Sequence, residues 1–253
     1  MSIYLKKIGM LDKIRVNEGI DKMKAKFSDL VVNNLQIAAK LINDKNVRFG
    51  TLFLLQPEIK RTNFSNSLSL RNKNSLDIAN GILLKEISNS QRFLFRNKKD
   101  DYPTLKWILE TGYMDDGLNE QFDEVLDAAA ILLAKVYKDR SSLNLIEEMI
   151  FNRYRRGAFI YDLVWIYFEV SDFQSLIKIA QRLRSLNPKD VELASKLLNF
   201  IPCIDIHRKE TPKNKFKCAM QWIKVNKDFL YYTGETCLQS SNPHRYALSE
   251  KQI

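Results

Sequence analysis

Apolar residues recur at steps of three and four along most of this chain, the period of amphipathic helices rather than strands. Tyr4, Ile8 and Leu11, with Leu5 and Ile14 beside them, predict a short helix over 3–15. Ile20, Met23, Phe27, Leu30, Val31, Leu35, Ala38, Leu41 and Ile42 keep one face apolar and predict a single longer helix over 19–43. VRFGTLFLL (47–55) is apolar but short, so helix and strand stay open there. The polar, Ser- and Asn-rich stretch 56–75 reads as a long loop or mobile segment, with Ser75 as the N-cap of a helix through Leu76, Ala79, Ile82, Leu83 and Ile87. Pro103 or Thr104 starts a short helix through Trp107 and Ile108, and 111–117 (TGYMDDG) is a turn.

From Asn119 helical spacing resumes to about Lys138. Ser141 or Ser142 caps a helix that ends at Gly157, and a further helix covers 158–170. Asp172 caps another, which stops before Asn187-Pro188, and Asp190 caps one more to about Phe200. Thr211-Pro212 opens a helix carrying Phe216, Ala219, Trp222 and Ile223. Beyond 229 the helical period is lost. Tyr231, Tyr232 and Leu238 either dock this tail or leave it to a partner. The chain reads as all-α: an irregular helical bundle or array in three parts, a basic helical region 1–100, a helical-hairpin region 101–205, and a C-terminal helix and tail 206–253.

Within the middle region YKDRSSLNLIEEMI (137–150) and YFEVSDFQSLIKIA (167–180) share a pattern at an interval of 30 residues. The matched pairs are Tyr137/Tyr167, Ser141/Ser171, Leu143/Phe173, Ile146/Leu176 and Met149/Ile179. Each copy spans a helix end, a turn and the next helix start, the mark of a repeated hairpin. The second copy resembles a degenerate tetratricopeptide repeat. Leu163, Tyr167, Ser171, Phe173 and Pro188 stand where that family prefers Leu, Tyr, a small turn residue, an aromatic and Pro. Leu176 and Leu183 depart from it, standing in the usual alanine places. The resemblance covers roughly 119–200 and implies antiparallel helix hairpins that bind partner proteins.

Composition fits a folded protein, 45% hydrophobic and 28% charged, and 8 Gly with 6 Pro are too few for a many-turned β fold. No run of about 18 apolar residues exists, so no transmembrane helix is expected. The N-terminus lacks the uninterrupted apolar stretch of a secretory signal. Cys203, Cys218 and Cys237 are few and odd in number, which favours reduced thiols and a cytoplasmic location. Residues 1–100 carry 19 Lys/Arg against 9 Asp/Glu, a net +10; residues 101–200 carry 12 against 16, a net −4. That asymmetry allows self-association between the basic N-terminal part and the acidic middle, or an acidic partner.

The chemistry-bearing residues form no motif. Gly112 and Gly117 lack the pattern of a phosphate-binding loop, and there is no nucleophile elbow. Cys203, His207 and Cys218 match no zinc spacing and read as unrelated helix-end residues. Asp115, Asp116, Glu120, Asp123, Glu124 and Asp127 read as an acidic first turn and a solvated face. Neither a metal nor a cofactor is expected. Arg153, Arg155 and Arg156, with Arg96, Lys98 and Lys99, form basic clusters near Phe93, Phe95, Phe151 and Tyr154, which makes nucleic acid the alternative partner. AFIYDLVWIYFEV (158–170) is apolar almost all round. Leu163, Val164 and Tyr167 face the paired helix, while Tyr161, Trp165 and Phe168 make a second stripe. That stripe is either an anchor site for a bound segment or, as favoured here, covered by the N-terminal helices. The expectation is a non-enzymatic adaptor, chaperone or scaffold. The alternatives are a nucleic-acid-associated protein using the basic N-terminal region and an enzyme whose site no motif announces.

Overall fold

The computed structural model describes residues 8–84, 98–204, 210–234 and 246–249, and for 98–100 the backbone alone. Among these residues are thirteen α-helices and one pair of three-residue strands, so the fold is all-α. The chain divides into two compact units, Met1–Leu133 and Ala134–Ile253. The three sequence regions follow changes in charge, whereas these units follow packing.

The first unit holds α1 (Met10–Glu18), α2 (Ile20–Asn33), α3 (Leu35–Ile42), α4 (Phe49–Leu54), α5 (Gln56–Arg61), α6 (Leu70–Leu83), α7 (Lys98–Gly112) and α8 (Glu120–Ile131). The helix expected over 3–15 is observed as α1, and residues 1–7 lie outside the described residues. The single helix expected over 19–43 is two. Asn34 leaves helical geometry (φ −155°, ψ 76°), and its side chain accepts the Ile37 N–H at 3.2 Å to start α3. Asn competes well with the helical backbone, and this local bond outweighs the unbroken apolar period. VRFGTLFLL is helix α4, with Phe49, Leu52 and Phe53 in the core.

Residues 56–75 are not a long loop. They form α5, a 3₁₀ turn (Phe64–Ser67) and the start of α6. Their polar side chains are what order them. Ser69, not Ser75, caps α6 by accepting the Asn72 N–H, and Asn43 accepts from Ser69 N–H while donating to the Ser67 carbonyl. Asn72 is fully buried and donates to the Ile42 carbonyl at 2.9 Å, closing the end of α3. Ser75 lies inside the helix and donates to the Arg71 carbonyl. α7 likewise starts at Lys98, ahead of Pro103.

Leu11, Ile14, Met23, Phe27, Ile42, Leu52, Ile59 and Phe64 form one core, with the Phe27 and Phe64 rings edge to face at 5.4 Å. Phe49, Phe53 and Phe122 form a second aromatic group, joined by Trp107. Gly112 permits this packing: a Cβ there would lie 2.7 Å from Leu126 Cδ2. The buried carboxylate of Asp12 fastens α1 to α4. It accepts the Arg48 N–H and the Thr51 hydroxyl, the latter at 2.7 Å. Arg15, one turn on, donates to both oxygens of Asp115 at 2.8 Å.

The second unit holds α9 (Leu143–Arg156), α10 (Tyr161–Val170), α11 (Phe173–Arg182), α12 (Pro188–Leu197) and α13 (Pro212–Asn226), then β1 (Leu230–Tyr232) and β2 (Tyr246–Leu248). The helix expected to reach Lys138 gives way at Leu132 to a π-helical turn. α9 packs on α10 and α12, and α11 on α12 and α13. Asp172 caps α11 as expected, accepting from the N–H groups of Gln174 and Ser175. α12 is capped by Asn187, not Asp190. Pro188 already occupies the first helical position, and Asp190 is buried against Arg155. The tail is ordered where described. β1 and β2 pair antiparallel with Tyr232 opposite Tyr246, and Tyr246 packs on Phe168 and Phe200 at 5.9 Å each. Leu238 lies outside the described residues.

Burial raises the Asp12 carboxyl above its ordinary value of 3.8, outweighing the bonds from Thr51 and Arg48 and the attraction of Arg15. A carboxyl raised on folding stabilises most when protonated, below 3.8, and that contribution is lost as pH rises through the folded value. The stability of the wild type relative to Asp12→Asn is therefore greatest below pH 3.8 and declines as pH increases. Urea unfolding midpoints of the two proteins across acidic to neutral pH check this.

Candidate functional site

Among the described residues of the second unit, the link between α9 and α10 carries a cluster of aromatic side chains, of which Phe159 is exposed and Tyr161 and Trp165 half-buried. α9 ends because Gly157 takes a left-handed conformation (φ 74°), which places the Ala158 N–H on the Arg153 carbonyl at 2.9 Å. The Arg153 guanidinium turns inward, 2% exposed, and donates to the Phe159 carbonyl. The link is thus bound to α9 through its backbone, and the Phe159 side chain is pushed outward, 66% exposed. Phe159 and Tyr161 pack ring to ring at 6.1 Å, and Tyr161 and Trp165 do so at 6.1 Å.

The opposite wall is the first half of α12. The Tyr154 hydroxyl donates to Glu192 at 2.7 Å, and Lys196 donates to both of them. The Lys196 and Tyr154 bonds hold the Glu192 carboxyl below its ordinary value. Lys189 donates to the Arg155 carbonyl at 2.6 Å and so closes the end of α9. Between the walls lies an open cleft of about 690 Å³, lined by Tyr154, Phe159, Ile160, Tyr161, Lys189 and Glu192. Arg155 braces the cleft from behind through two bonds to Asp190 at 2.6 and 2.7 Å, and Ser185 adds a third at 2.7 Å. Burial alone would raise Asp190, but these bonds more than offset it and hold its carboxyl low.

This arrangement divides the residues singled out from sequence. Leu163, Val164 and Tyr167 are buried as expected. The stripe Tyr161, Trp165 and Phe168 does not present one surface. Tyr161 and Trp165 are half-buried beside the cleft, whereas Phe168 is fully buried. Its cover is Tyr246 from the C-terminal strand, whose hydroxyl reaches the Phe168 and Ser171 carbonyls at 3.2 and 3.0 Å. Burial raises the Tyr246 hydroxyl well above the ordinary tyrosine range.

The basic cluster is divided too. Arg153 is inside, Arg155 is committed to Asp190, and Arg156 is exposed at the cleft end of α9. Arg96 and the side chains of Lys98 and Lys99 lie outside the described residues. The acidic group disperses: Asp115 meets Arg15, and Asp123 accepts from the Gly117 N–H. Among the described residues no three His, Cys, Asp or Glu side chains gather as metal ligands. No described helix is long and apolar enough to cross a membrane. Cys203 and Cys218 are not unrelated thiols but a disulfide, with Cα atoms 6.4 Å apart. Spacing alone could not show this, because the contact depends on how α13 folds back. His207 lies outside the described residues.

Phe159, Lys189 and Glu192 escaped the sequence reading, and Tyr154 entered it only as an aromatic beside the basic cluster. The available signal was Phe159 itself, a large aromatic two residues after the helix-ending Gly157; the helix expected over 158–170 starts only at Tyr161, which leaves Phe159 in the link. No protein-family model, no curated protein and no solved structure matches this chain.

Phe168→Ala should cost about 3–5 kcal/mol, the usual cost of emptying a packed aromatic site. Phe159→Ala should change stability by about 0.5 kcal/mol or less, as an exposed position does. Urea denaturation of both variants measures the contrast.

Proposed function

We propose that this chain is a non-enzymatic interaction protein that holds a partner protein segment in the cleft between the α9–α10 link and α12. The observation that carries the reading is Phe159, 66% exposed at the mouth of a cleft that also holds Tyr154 and Tyr161. Aromatic side chains kept at a concave surface cost solvation in the free protein and supply the anchors of recognition sites. The tetratricopeptide-like pattern agrees with this, since such hairpins bind extended segments along their helices.

The edge of the cleft selects the partner's charge. Glu192 is engaged by Lys196 and Tyr154, and Lys189, which donates to the Arg155 carbonyl, keeps its positive charge exposed beside them. The fitting occupant is an extended segment with one aromatic or aliphatic anchor flanked by Asp or Glu. At this cleft a protein ligand is favoured over a nucleic acid because Arg153 points inward and Arg155 is committed to Asp190; the Arg96, Lys98 and Lys99 cluster of the basic N-terminal region lies outside the described side chains.

The full chain should bind an array of acidic peptides carrying a single Phe, Trp or Leu, and Phe159→Ala/Tyr161→Ala should weaken that binding by about tenfold or more. The circular dichroism spectrum and melting temperature of the double variant should match the wild type. Equal binding by both proteins would remove the cleft from consideration. Preference for single-stranded oligonucleotides with a steep salt dependence would transfer the reading to nucleic acid, and concentration-dependent dimerisation lost in the double variant would make the occupant a second copy.

A further inference from the structure

The Cys203–Cys218 bond joins a 3₁₀ turn (Pro202–Ile204) to the second turn of α13. Both cysteines are half-buried rather than enclosed. The two cysteines line an open pocket of about 300 Å³ together with Pro202, Trp222 and Val225, and Val225 is 66% exposed. An attacking thiolate therefore has a path to the bond. α13 carries Lys213, Lys215, Lys217 and Lys224 and no carboxylate, so an incoming anionic sulfur meets a cationic surface. Exposure of this kind separates exchangeable disulfides from inert ones.

Among the described residues, α13 packs on α11 and on the 3₁₀ turn with few enclosed side chains. Of the fifteen residues of α13 only Ala219 and Ile223 are buried. Trp222 adds an edge contact to Phe200 at 5.8 Å, and Phe216 lies under Arg184 at 5.1 Å. With few enclosed apolar side chains at this contact, the covalent tie contributes to fixing α13 on α11.

We propose that Cys203–Cys218 is a reversible redox site, exchanged by a dithiol reductant, that sets how firmly α13 covers α11. In the exchange one sulfur of the dithiol attacks the protein disulfide, the Cys203–Cys218 bond breaks, and a mixed disulfide forms. The second sulfur of the dithiol then closes its own ring and releases the remaining protein thiol. Two electrons and two protons pass from the dithiol, which is oxidised, to the cysteine pair, which is reduced. The reduced form retains α9 to α12, while α13 opens and bares the apolar side of α11. This inference does not depend on the cleft or its partner.

The test uses the full chain and dithiothreitol as the probe. Protein purified without reductant, acid-quenched, denatured and labelled with a maleimide should show one free thiol of its three cysteines. After dithiothreitol treatment of the native protein, the same procedure should show three. Hydrogen exchange of amides in 212–226 should then accelerate about tenfold or more, with 143–182 unchanged, and oxidised dithiothreitol should restore the slow state. Three free thiols before any reductant, a bond that yields only in denaturant, or equal α13 exchange in both states would each overturn the proposal.

Discussion

The thirteen helices among the described residues, six to fifteen residues long, leave many backbone N–H and C=O groups without an intrahelical partner, and every one that is buried must find another. Short helices pay this cost more often per residue than long ones. The chain meets it with small polar side chains at helix starts: Asn34, Ser69, Asn119, Asp172, Asn187 and Thr211 each accept a backbone N–H one turn ahead. Asn43 and Asn72 do the same work between elements, tying the end of α3 to the start of α6. The Asn- and Ser-rich composition is thus a structural requirement of a fold made of many short helices.

Charge is used in a similar way. The net charge of +10 suggests a basic surface, yet several arginines are held in ion pairs with largely buried carboxylates. Arg15 is held by Asp115 beside the buried Asp12, Arg155 by Asp190, and Arg182 by Glu147 and Glu148. Burial raises the Glu147 carboxyl, while the Arg182 bond works against it. Breaking such pairs leaves a charge without its counterpart, which costs more than the pair itself contributes. They therefore specify which helices meet more than they add net stability.

The cleft follows from these same devices. A left-handed glycine ends α9, a buried arginine binds the link that follows, and Lys189 closes the last carbonyls of α9 from the neighbouring helix. With its backbone secured on both sides, the link carries Phe159 outward at little conformational cost on binding, the condition for a preorganised anchor.

Helical period, capping residues and scarce glycine were enough to read the all-α class and most of the elements of the second unit: Gly157 as a stop, Asp172 as a cap, Thr211-Pro212 as a start. These are local signals, carried by residues within one turn of each other. Local signals also misled in two places. The stretch 56–75 looks like a loop until Asn43 and Ile42 supply its hydrogen bonds, and the period over 19–43 looks continuous until Asn34 turns back on Ile37. The candidate site was half legible. Tyr161 and Trp165 stand on a readable stripe, but Phe168 on the same stripe is buried because Tyr246, 78 residues later, lies on it. The Cys203–Cys218 contact and the wall formed by Lys189 and Glu192 arise in the same way, from segments whose meeting is governed by packing of the whole unit, and no spacing along the chain encodes that.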